Sequence, residues 1–175
     1  MRVIAGEFRS RKLLTVPGLQ TRPTPDRLRE TLFSILMPII EGAVFVDAYA
    51  GTGSVGIEAI SRGARQAVFI ENDRAAVEVL RKNIANLGIE GRARIVQARA
   101  STRPAELTNA DIVFADPPYT QAREYEALFE VLLNATPQLT IVQHSVRLVL
   151  EADHGGLRRT RILKQGENAL SFYER

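Results

Sequence analysis

Two acidic residues that each end an apolar run are the first candidates for chemistry in this sequence. The run before Asp47 is rich in β-branched and aromatic residues, which predicts a strand buried on both faces. A glycine-containing loop at 50–53 follows it, and the helical pattern 55–60 brings a helix N-terminus and its free amides to the same point. The second run ends at Glu71, whose carboxylate could accept both hydroxyls of a ribose. The spacing predicts a site for a nucleoside-type ligand at the carboxyl edge of a sheet.

The glycines of this loop are expected to leave the backbone open to the ligand. Gly51 and Gly53 carry no Cβ, so a ligand can approach their amides closely. The pattern Gly51-x-Gly53-x-x-Gly56, with an acid about twenty residues further on, also fits the fingerprint of dinucleotide-binding proteins. A turn that only allows tight helix–strand packing is a further interpretation. The loop alone leaves the identity of the nucleoside open.

The tetrapeptide Asp116-Pro117-Pro118-Tyr119 is the second candidate site. It follows the apolar run 111–115, which predicts a buried strand, so it should lie at the same sheet edge as the first two acids. The two prolines have a fixed φ and offer carbonyls with no amide donors of their own. Asp116 adds an acceptor, and Tyr119 adds a flat ring for stacking. These residue types favour the binding of a planar amine, whose N–H groups would point at Asp116 and a proline carbonyl.

The composition is typical of one soluble domain. The chain has 175 residues, of which 45% are hydrophobic and 25% charged. It contains no cysteine, which excludes disulfides and thiolate metal sites. We expect a cytoplasmic protein without membrane contact, because there is no apolar signal core and no run long enough to span a bilayer. His144 and His154 have no acid cluster beside them, so we expect no metal site and ordinary structural roles for both.

Basic residues are concentrated at the N-terminus. Residues 1–30 contain seven basic and three acidic residues, whereas the rest of the chain contains sixteen basic and seventeen acidic ones. This excess is the footprint expected of contacts to a phosphate backbone. A solvated charged end in a chain that prefers arginine to lysine is the simpler alternative.

The remaining pattern alternates helices and strands. Residues 1–19 indicate two short strands or an extended arm with a turn at Pro17-Gly18. Thr24 is expected to cap a helix in which Pro25 takes the first position, and Ile39 and Ile40 are expected in the core. Periodicity and stop signals predict a helix at 74–87 that ends at Gly88, with Val77, Leu80, Ile84 and Leu87 inward. They also predict strands at 92–97 and 139–144, a helix at 124–133, and a terminal hairpin of 158–163 with 169–173. The order predicts a mostly parallel sheet with helices on both faces.

The glycine loop and the tetrapeptide together resemble those of class I S-adenosylmethionine-dependent methyltransferases that act on exocyclic amines. The dinucleotide interpretation has no use for the tetrapeptide, so the methyl donor is favoured. Nearly the whole chain is similar to the RsmD family, bacterial enzymes that modify the exocyclic N2 of one guanine in 16S ribosomal RNA. This resemblance rests on the runs RVIAG at 2–6, TRPT at 21–24, DRLRETLF at 26–33, AGTGSVGIEA at 50–59, SRGA at 61–64 and GENALS at 166–171.

The resemblance implies a Rossmann-like class I methyltransferase fold. Its features are a mostly parallel seven-stranded sheet, helices on both faces and a small N-terminal β extension. It divides the chain into a basic N-terminal β extension or arm at 1–22 and an S-adenosylmethionine-dependent methyltransferase domain at 23–175. We also expect a monomer.

The resemblance assigns site residues in three groups. The methyl donor is implied at Asp47, Ala50, Gly51, Gly53, Glu71, Asn72, Arg99 and Asp116. The target base is implied at the tetrapeptide 116–119, and RNA at Arg9, Arg11, Lys12, Arg22, Thr24 and Arg27. Arg99 stands where many relatives have an acid near the adenine amine, so adenine recognition there must use backbone or differ in detail. Gln143 stands where Glu is more usual, and its role stays open.

The function implied is methyl transfer from S-adenosylmethionine to the N2 amine of a guanine in 16S rRNA, in the assembled or assembling small subunit. Asp116 and the Pro117 carbonyl would accept N–H bonds of the amine, and Tyr119 would hold an unpaired or flipped base. One alternative is a DNA adenine-N6 or protein methyltransferase, which shares the tetrapeptide, although no segment here is long enough for a separate target-recognition domain. The other is a non-catalytic RNA-binding or assembly protein, against which the intact Asp47, Glu71 and Asp116 argue.

Overall fold

The computed structural model describes residues 1–16, 24–119 and 121–175, and these form an α/β fold around one sheet. Its helices are α1 Asp26–Leu36, α2 Ser54–Ser61, α3 Arg74–Leu87, α4 Pro104–Thr108 and α5 Ala122–Asn134, with 3₁₀ turns at Glu90–Arg92 and Ala100–Thr102. Its strands are β1 Val44–Asp47, β2 Gln66–Glu71, β3 Ala93–Gln97, β4 Ile112–Ala115, β5 Leu139–Ser145, β6 Asp153–His154, β7 Leu157–Gln165 and β8 Asn168–Glu174.

The sheet has the strand order β3-β2-β1-β4-β5-β8-β7-β6. Strands β1 to β5 are parallel, and β6 to β8 add an antiparallel edge. The predicted terminal hairpin is confirmed as β7 and β8. The expected seven strands are wrong by one, because β6 turns back onto β7 through Gly155 and Gly156. Both glycines have positive φ, 60° and 96°, which suits a two-residue hairpin and is the sequence signal that was missed.

The order in which the parallel strands are added to the sheet changes side at β1. From β1 it proceeds to β2 and β3 on one side, and then returns to β4 and β5 on the other. β1 pairs with both β2 and β4, and Asp47 lies beside Phe69 on one neighbour and Phe114 on the other. Open α/β sheets bind their ligands at such a switch point, beyond the carboxyl ends of the strands. The fold therefore brings the two predicted motifs to one place.

Both faces of the sheet are covered, as predicted. Consecutive side chains of β1 alternate between faces, so Phe45 packs with α1 on one side and Val46 packs with α5 on the other. A third cluster joins the N-terminal segment to α2, α3 and the Phe69 side of β2. Val77, Leu80 and Ile84 of α3 are buried as predicted, whereas Leu87 is only partly buried against the same cluster. Gly88 ends that helix with a φ of 67°.

The start and end of α1 differ from the sequence prediction. Pro25 is the capping residue instead of the first helical one, and its carbonyl accepts the Arg29 amide. The hydroxyl of Thr24 donates to Gln143 instead of capping the helix. Ile39 is half exposed, whereas Ile40 is buried as predicted. The helix ends at Leu36, before the apolar periodicity does, and the turn that follows carries Ile39 outward.

Residues 1–16 are held to the domain by side chains of α2. The expected β extension or arm is a short antiparallel pairing: one bridge joins Arg2 and Lys12, and the amides of Val3 and Leu13 donate to the carbonyls of Arg11 and Met1, both at 3.0 Å. Other amides of this segment bond to α2: the Glu58 carboxylate accepts Ile4 N and Ala5 N, at 2.8 and 3.0 Å. Ser61 accepts Phe8 N, and a Cβ on Gly6 would lie 1.8 Å from the Ser61 carbonyl oxygen. Glycine is therefore required at position 6.

Candidate active site

The end of β1 connects the sheet to the glycine loop. Asp47 is buried, and its Oδ2 accepts the amide of Gly56 in the first turn of α2 at 2.9 Å. A carboxylate at this point complements the positive N-terminus of the helix. Burial raises the pKa of Asp47 to about 7, a rise that the Gly56 amide opposes and that the nearby Glu71 charge increases. Asp47 thus holds together the two ends of the glycine loop, β1 and the first turn of α2.

The three glycines of this loop have different surroundings. Gly51 has a φ of 53°, and a Cβ there would meet no atom within 4 Å, as expected for a position open to a ligand. Gly53 was expected to serve the same purpose, but a Cβ on it would lie 2.3 Å from Cδ1 of Leu80. Gly56 is likewise required by packing, 2.4 Å from a ring carbon of Phe69. Packing therefore requires glycine at positions 53 and 56, whereas the space beside Gly51 is open.

Glu71 ends β2 beside the glycine loop, as predicted. Its Oε2 accepts the Gly51 amide at 2.7 Å, and its Oε1 accepts the Asp73 amide at 2.8 Å. Asp73 in turn caps α3 by accepting the Ala76 amide. The Glu71 carboxylate therefore ties the loop to the start of α3 while its side chain stays partly exposed at the sheet edge.

Asp116 follows β4 directly and lies close enough to Asp47 to interact with it electrostatically. Burial raises the pKa of Asp116 to about 8, and the Asp47 charge increases the rise. The residue is half-buried, so solvent reaches one side of it. Two carboxylates thus converge at the switch point from neighbouring strands, as the sequence predicted.

Gln143 on β5 is a site residue whose role the sequence left open. It is buried, and its Nε2 donates to Asp116 Oδ2 at 3.0 Å and to the Tyr119 hydroxyl at 3.2 Å. Its Oε1 accepts the Thr24 hydroxyl at 3.4 Å. Gln143 therefore connects the two ends of the tetrapeptide to the segment that leads into α1. Hydrogen bonding to a carboxylate favours its charged form.

The rest of the tetrapeptide is also fixed by its neighbours. The Tyr119 hydroxyl donates to Asn168 Oδ1 at 2.8 Å, which connects it to the turn between β7 and β8. The Tyr119 residue is 39% exposed at this edge of the sheet. The Pro117 carbonyl accepts the Tyr125 hydroxyl at 3.2 Å. Asn168 and Tyr125 were not predicted as site residues, and their contacts over 49 and 8 positions leave no local sequence signal.

The other residues predicted to contact the donor lie around this edge. Ala50 is buried and donates its amide to the Ile70 carbonyl, which extends the β1–β2 ladder into the loop. Asn72 follows Glu71 and is exposed. Arg99 is exposed after β3 in an extended conformation, and the amide of its neighbour Ala98 bonds to the Glu71 carbonyl. Within the described part of the chain, the side chains of Asn72 and Arg99 make no hydrogen bond to Asp47 or Asp116.

The residues predicted to contact RNA lie in different surroundings. Arg9, Arg11, Lys12 and Arg27 are exposed, and Arg11 donates to the Asn86 carbonyl on α3. Thr24 is buried next to Gln143. Arg22 lies outside the described residues, as does the turn predicted at Pro17-Gly18.

Arg29 counted toward the N-terminal basic excess, but it does not contribute to an exposed basic surface. It is fully buried, and its Nη2 donates to Asp26 at 3.0 Å and to the Arg2 carbonyl.

Both histidines have structural environments. His144 Nε2 lies 2.9 Å from the Ser171 hydroxyl, and burial lowers its pKa. The ring of His154 stacks on Phe129 with centroids 3.6 Å apart. Within the described ranges, no group of three or more His, Cys, Asp or Glu residues could hold a metal ion. No helix in that part of the chain is both long and apolar enough to cross a membrane.

The parallel sheet, the glycine loop after β1, the acid after β2 and the tetrapeptide after β4 define the class I methyltransferase fold. Solved structures agree: an Escherichia coli protein, yhhF, has a TM-score of 0.87 and 37% identity over 100% of this chain and 97% of its own. A Thermus thermophilus hypothetical protein has a TM-score of 0.82 and 31% identity over 100% and 99%.

The family is also defined by sequence. The family described as "Conserved hypothetical protein 95" matches residues 1–174. The Escherichia coli protein "Ribosomal RNA small subunit methyltransferase D" is 46% identical over 120 residues, 68% of this chain and 60% of its own length. The chain thus spans about 60% of the length of that relative. The chain belongs to this family, the RsmD family expected from its sequence motifs.

Proposed function

We propose that this protein transfers a methyl group from S-adenosylmethionine to the exocyclic N2 amine of a guanine in 16S rRNA. The observation that carries the proposal is the convergence of Asp116 and the exposed Tyr119 with the glycine loop at the switch point. The family relatives named as small-subunit rRNA methyltransferases support it. We further propose that the enzyme acts as a cytoplasmic monomer on the assembled or assembling small subunit.

The residues at the loop fit a methyl donor of this kind. The open side of Gly51 accommodates close approach to the backbone, and an added Cβ would project into free space there. Each Glu71 oxygen accepts one backbone amide, and a carboxylate oxygen has a second lone pair for a ribose hydroxyl. When bound, S-adenosylmethionine supplies an electrophilic methyl group on a positively charged sulfur. When ionised, the two carboxylates, Asp47 and Asp116, give the site the negative charge that favours such a cation.

The tetrapeptide fits an aromatic amine as the acceptor. Asp116 can accept an N–H of the amine, while the hydrogen bond from Gln143 fixes the orientation of the Asp116 carboxyl group. The Pro117 carbonyl already accepts the Tyr125 hydroxyl and retains one lone pair for a second N–H. Tyr119 offers its ring face to the base, while its hydroxyl is held by Asn168. A guanine amine in a duplex cannot reach such a recessed site, so the base has to be unpaired or flipped.

The chemical role of these residues is orientation and charge stabilisation. N–H bonds accepted by ionised Asp116 withdraw the amine lone pair from ring conjugation and make it more nucleophilic. The same carboxylate stabilises the positive charge that develops on nitrogen. Holding the amine in one direction removes an entropic cost of the reaction. Because the product nitrogen loses its proton readily after transfer, no strong general base is required.

Substitution of Asp116 by Asn tests the proposal. Methyl transfer to small subunits should fall by about a hundredfold or more, whereas calorimetry should still detect S-adenosylhomocysteine binding. Asp153→Asn, at an exposed position on β6, is the matched control and should keep full activity. Unchanged turnover in Asp116→Asn would contradict the proposed role. The non-catalytic assembly alternative predicts no transfer by the parent protein at all.

A further inference from the structure

Asn83 on α3 makes a set of contacts that packing of the helix does not require. The side chain is 1% exposed, although it is polar and lies among the apolar residues that face β2. Its Oδ1 accepts the Leu14 amide at 2.7 Å, and its Nδ2 donates to the Leu14 carbonyl at 3.1 Å. The same Nδ2 donates to the Thr52 carbonyl at 3.0 Å. One buried amide thus connects two segments that are distant in the sequence.

The first of these segments is the glycine loop. Thr52 lies between Gly51 and Gly53, so its carbonyl orientation depends on the same peptide units that would contact a donor. The loop is fixed on its other side by the bond from the Gly51 amide to Glu71. Any ligand that orders the loop will therefore also restrict the Asn83 side chain.

The second segment is the N-terminal arm, residues 1–16, which carries the exposed Arg9, Arg11 and Lys12. The arm is fixed at its beginning by Glu58 and Ser61 of α2. At its other end, Asn83 pairs with both the amide and the carbonyl of Leu14, as a neighbouring strand would. Asn83 therefore holds the part of the arm that follows its basic residues.

We propose that Asn83 is a positioning residue that couples donor binding in the glycine loop to the order of the N-terminal arm. This inference rests on the proposed function, because it takes S-adenosylmethionine as the ligand of the loop. A ligand that orders the loop bears part of the entropic cost of ordering the arm. The coupling is reciprocal, so RNA that orders the arm raises the affinity for the donor by the same factor.

Hydrogen exchange with and without S-adenosylhomocysteine tests this coupling without any RNA. The amides of Ser10, Arg11, Leu13 and Leu14 all donate hydrogen bonds, so their exchange reports the order of the arm. In the parent protein, saturating S-adenosylhomocysteine should slow exchange in a peptide covering 9–16 by about fivefold or more, the lower end of typical couplings. A peptide covering β1 serves as the internal reference for global stability.

Two variants and one matched control identify Asn83 as the carrier. Asn83→Asp keeps the shape but loses both donated bonds and places a charge against two carbonyls. Asn83→Ala removes all three bonds without adding charge and guards against misfolding of the first variant. In both, the ligand should still bind, but it should no longer slow exchange at 9–16. Asn134→Asp, at an exposed position at the end of α5, should behave as the parent does.

The possible outcomes distinguish failure of the coupling from failure of the proposed function. Ligand binding by the parent protein without any change at 9–16 would overturn the coupling and leave the proposed function intact. The same protection in Asn83→Ala as in the parent would show that another contact carries it, and would also overturn the inference. Absence of S-adenosylhomocysteine binding by the parent would overturn the proposed function and this inference with it.

Discussion

Replacement of Gln143 by Leu should move the pH dependence of activity toward higher pH. Gln143 donates to Asp116 from a buried position, 3.0 Å away. The proposed reaction uses the ionised form of Asp116, and burial with the Asp47 charge raises the pKa of that carboxyl to about 8. Activity of the parent enzyme should therefore rise as pH increases through this value. Removal of a donor that favours the charged form raises the pKa further.

The size of the shift follows from the strength of the bond. A hydrogen bond to a charged group contributes about 1.5–3 kcal/mol, and one pKa unit corresponds to about 1.4 kcal/mol. Asp116 is half-buried, so water can replace part of the lost bond. We expect the pKa of Asp116 to rise by about one unit. At neutral pH this lowers kcat/KM about tenfold, and activity should recover at high pH.

The assay is kcat/KM for methyl transfer from about pH 6 to about pH 10, which reports the ionisation of the free enzyme. Gln138→Leu is a matched control, because Gln138 also donates to a carboxylate, Asp111 at 2.9 Å, but at an exposed position away from the site. Its profile should equal that of the parent. An unchanged profile in Gln143→Leu, or a loss that is the same at every pH, would refute the assigned role of this bond.

Three further predictions concern the loop, the arm and the core. Gly53→Ala should lower the free energy of unfolding by about 2 kcal/mol or more in urea titrations, because its Cβ meets Leu80. Gly51→Ala should lower the free energy of unfolding by about 1 kcal/mol and should mainly weaken donor binding. Arg9→Ala should weaken binding to small subunits and reduce by about one the slope of log affinity against log salt concentration, with donor affinity unchanged. An unchanged slope would exclude a phosphate contact. Glu58→Gln should cost about 3 kcal/mol, since the buried carboxylate bonds two arm amides and Arg62; a loss below about 1 kcal/mol would contradict that.

The fold and the central acids could be predicted from the sequence, because the signals are local. Asp47, Glu71 and Asp116 each end an apolar run, and parallel strands bring such positions to one edge. The helix at 74–87 and its end at Gly88 are also confirmed to the residue, since periodicity and the glycine stop agree. Local patterns of this kind determine where elements begin and end.

The contacts between distant segments could not be predicted in this way. Gln143 and Asn83 are ordinary polar residues in apolar surroundings, and their partners lie 27 and 69 positions away. The meaning of Gly53 also depends on tertiary packing, because only the position of Leu80 shows what its Cβ would meet. Ile39 followed the helical period, but the helix ended before it.

The most direct test of the proposed function is methyl transfer from radiolabelled S-adenosylmethionine to small ribosomal subunits from cells that lack this gene, with naked 16S RNA and duplex DNA alongside. Nucleoside analysis identifies the product. We expect label as N2-methylguanosine in the RNA of the subunits. Label as N6-methyladenine in DNA, or no label in any substrate while donor binding is intact, would contradict the proposed function.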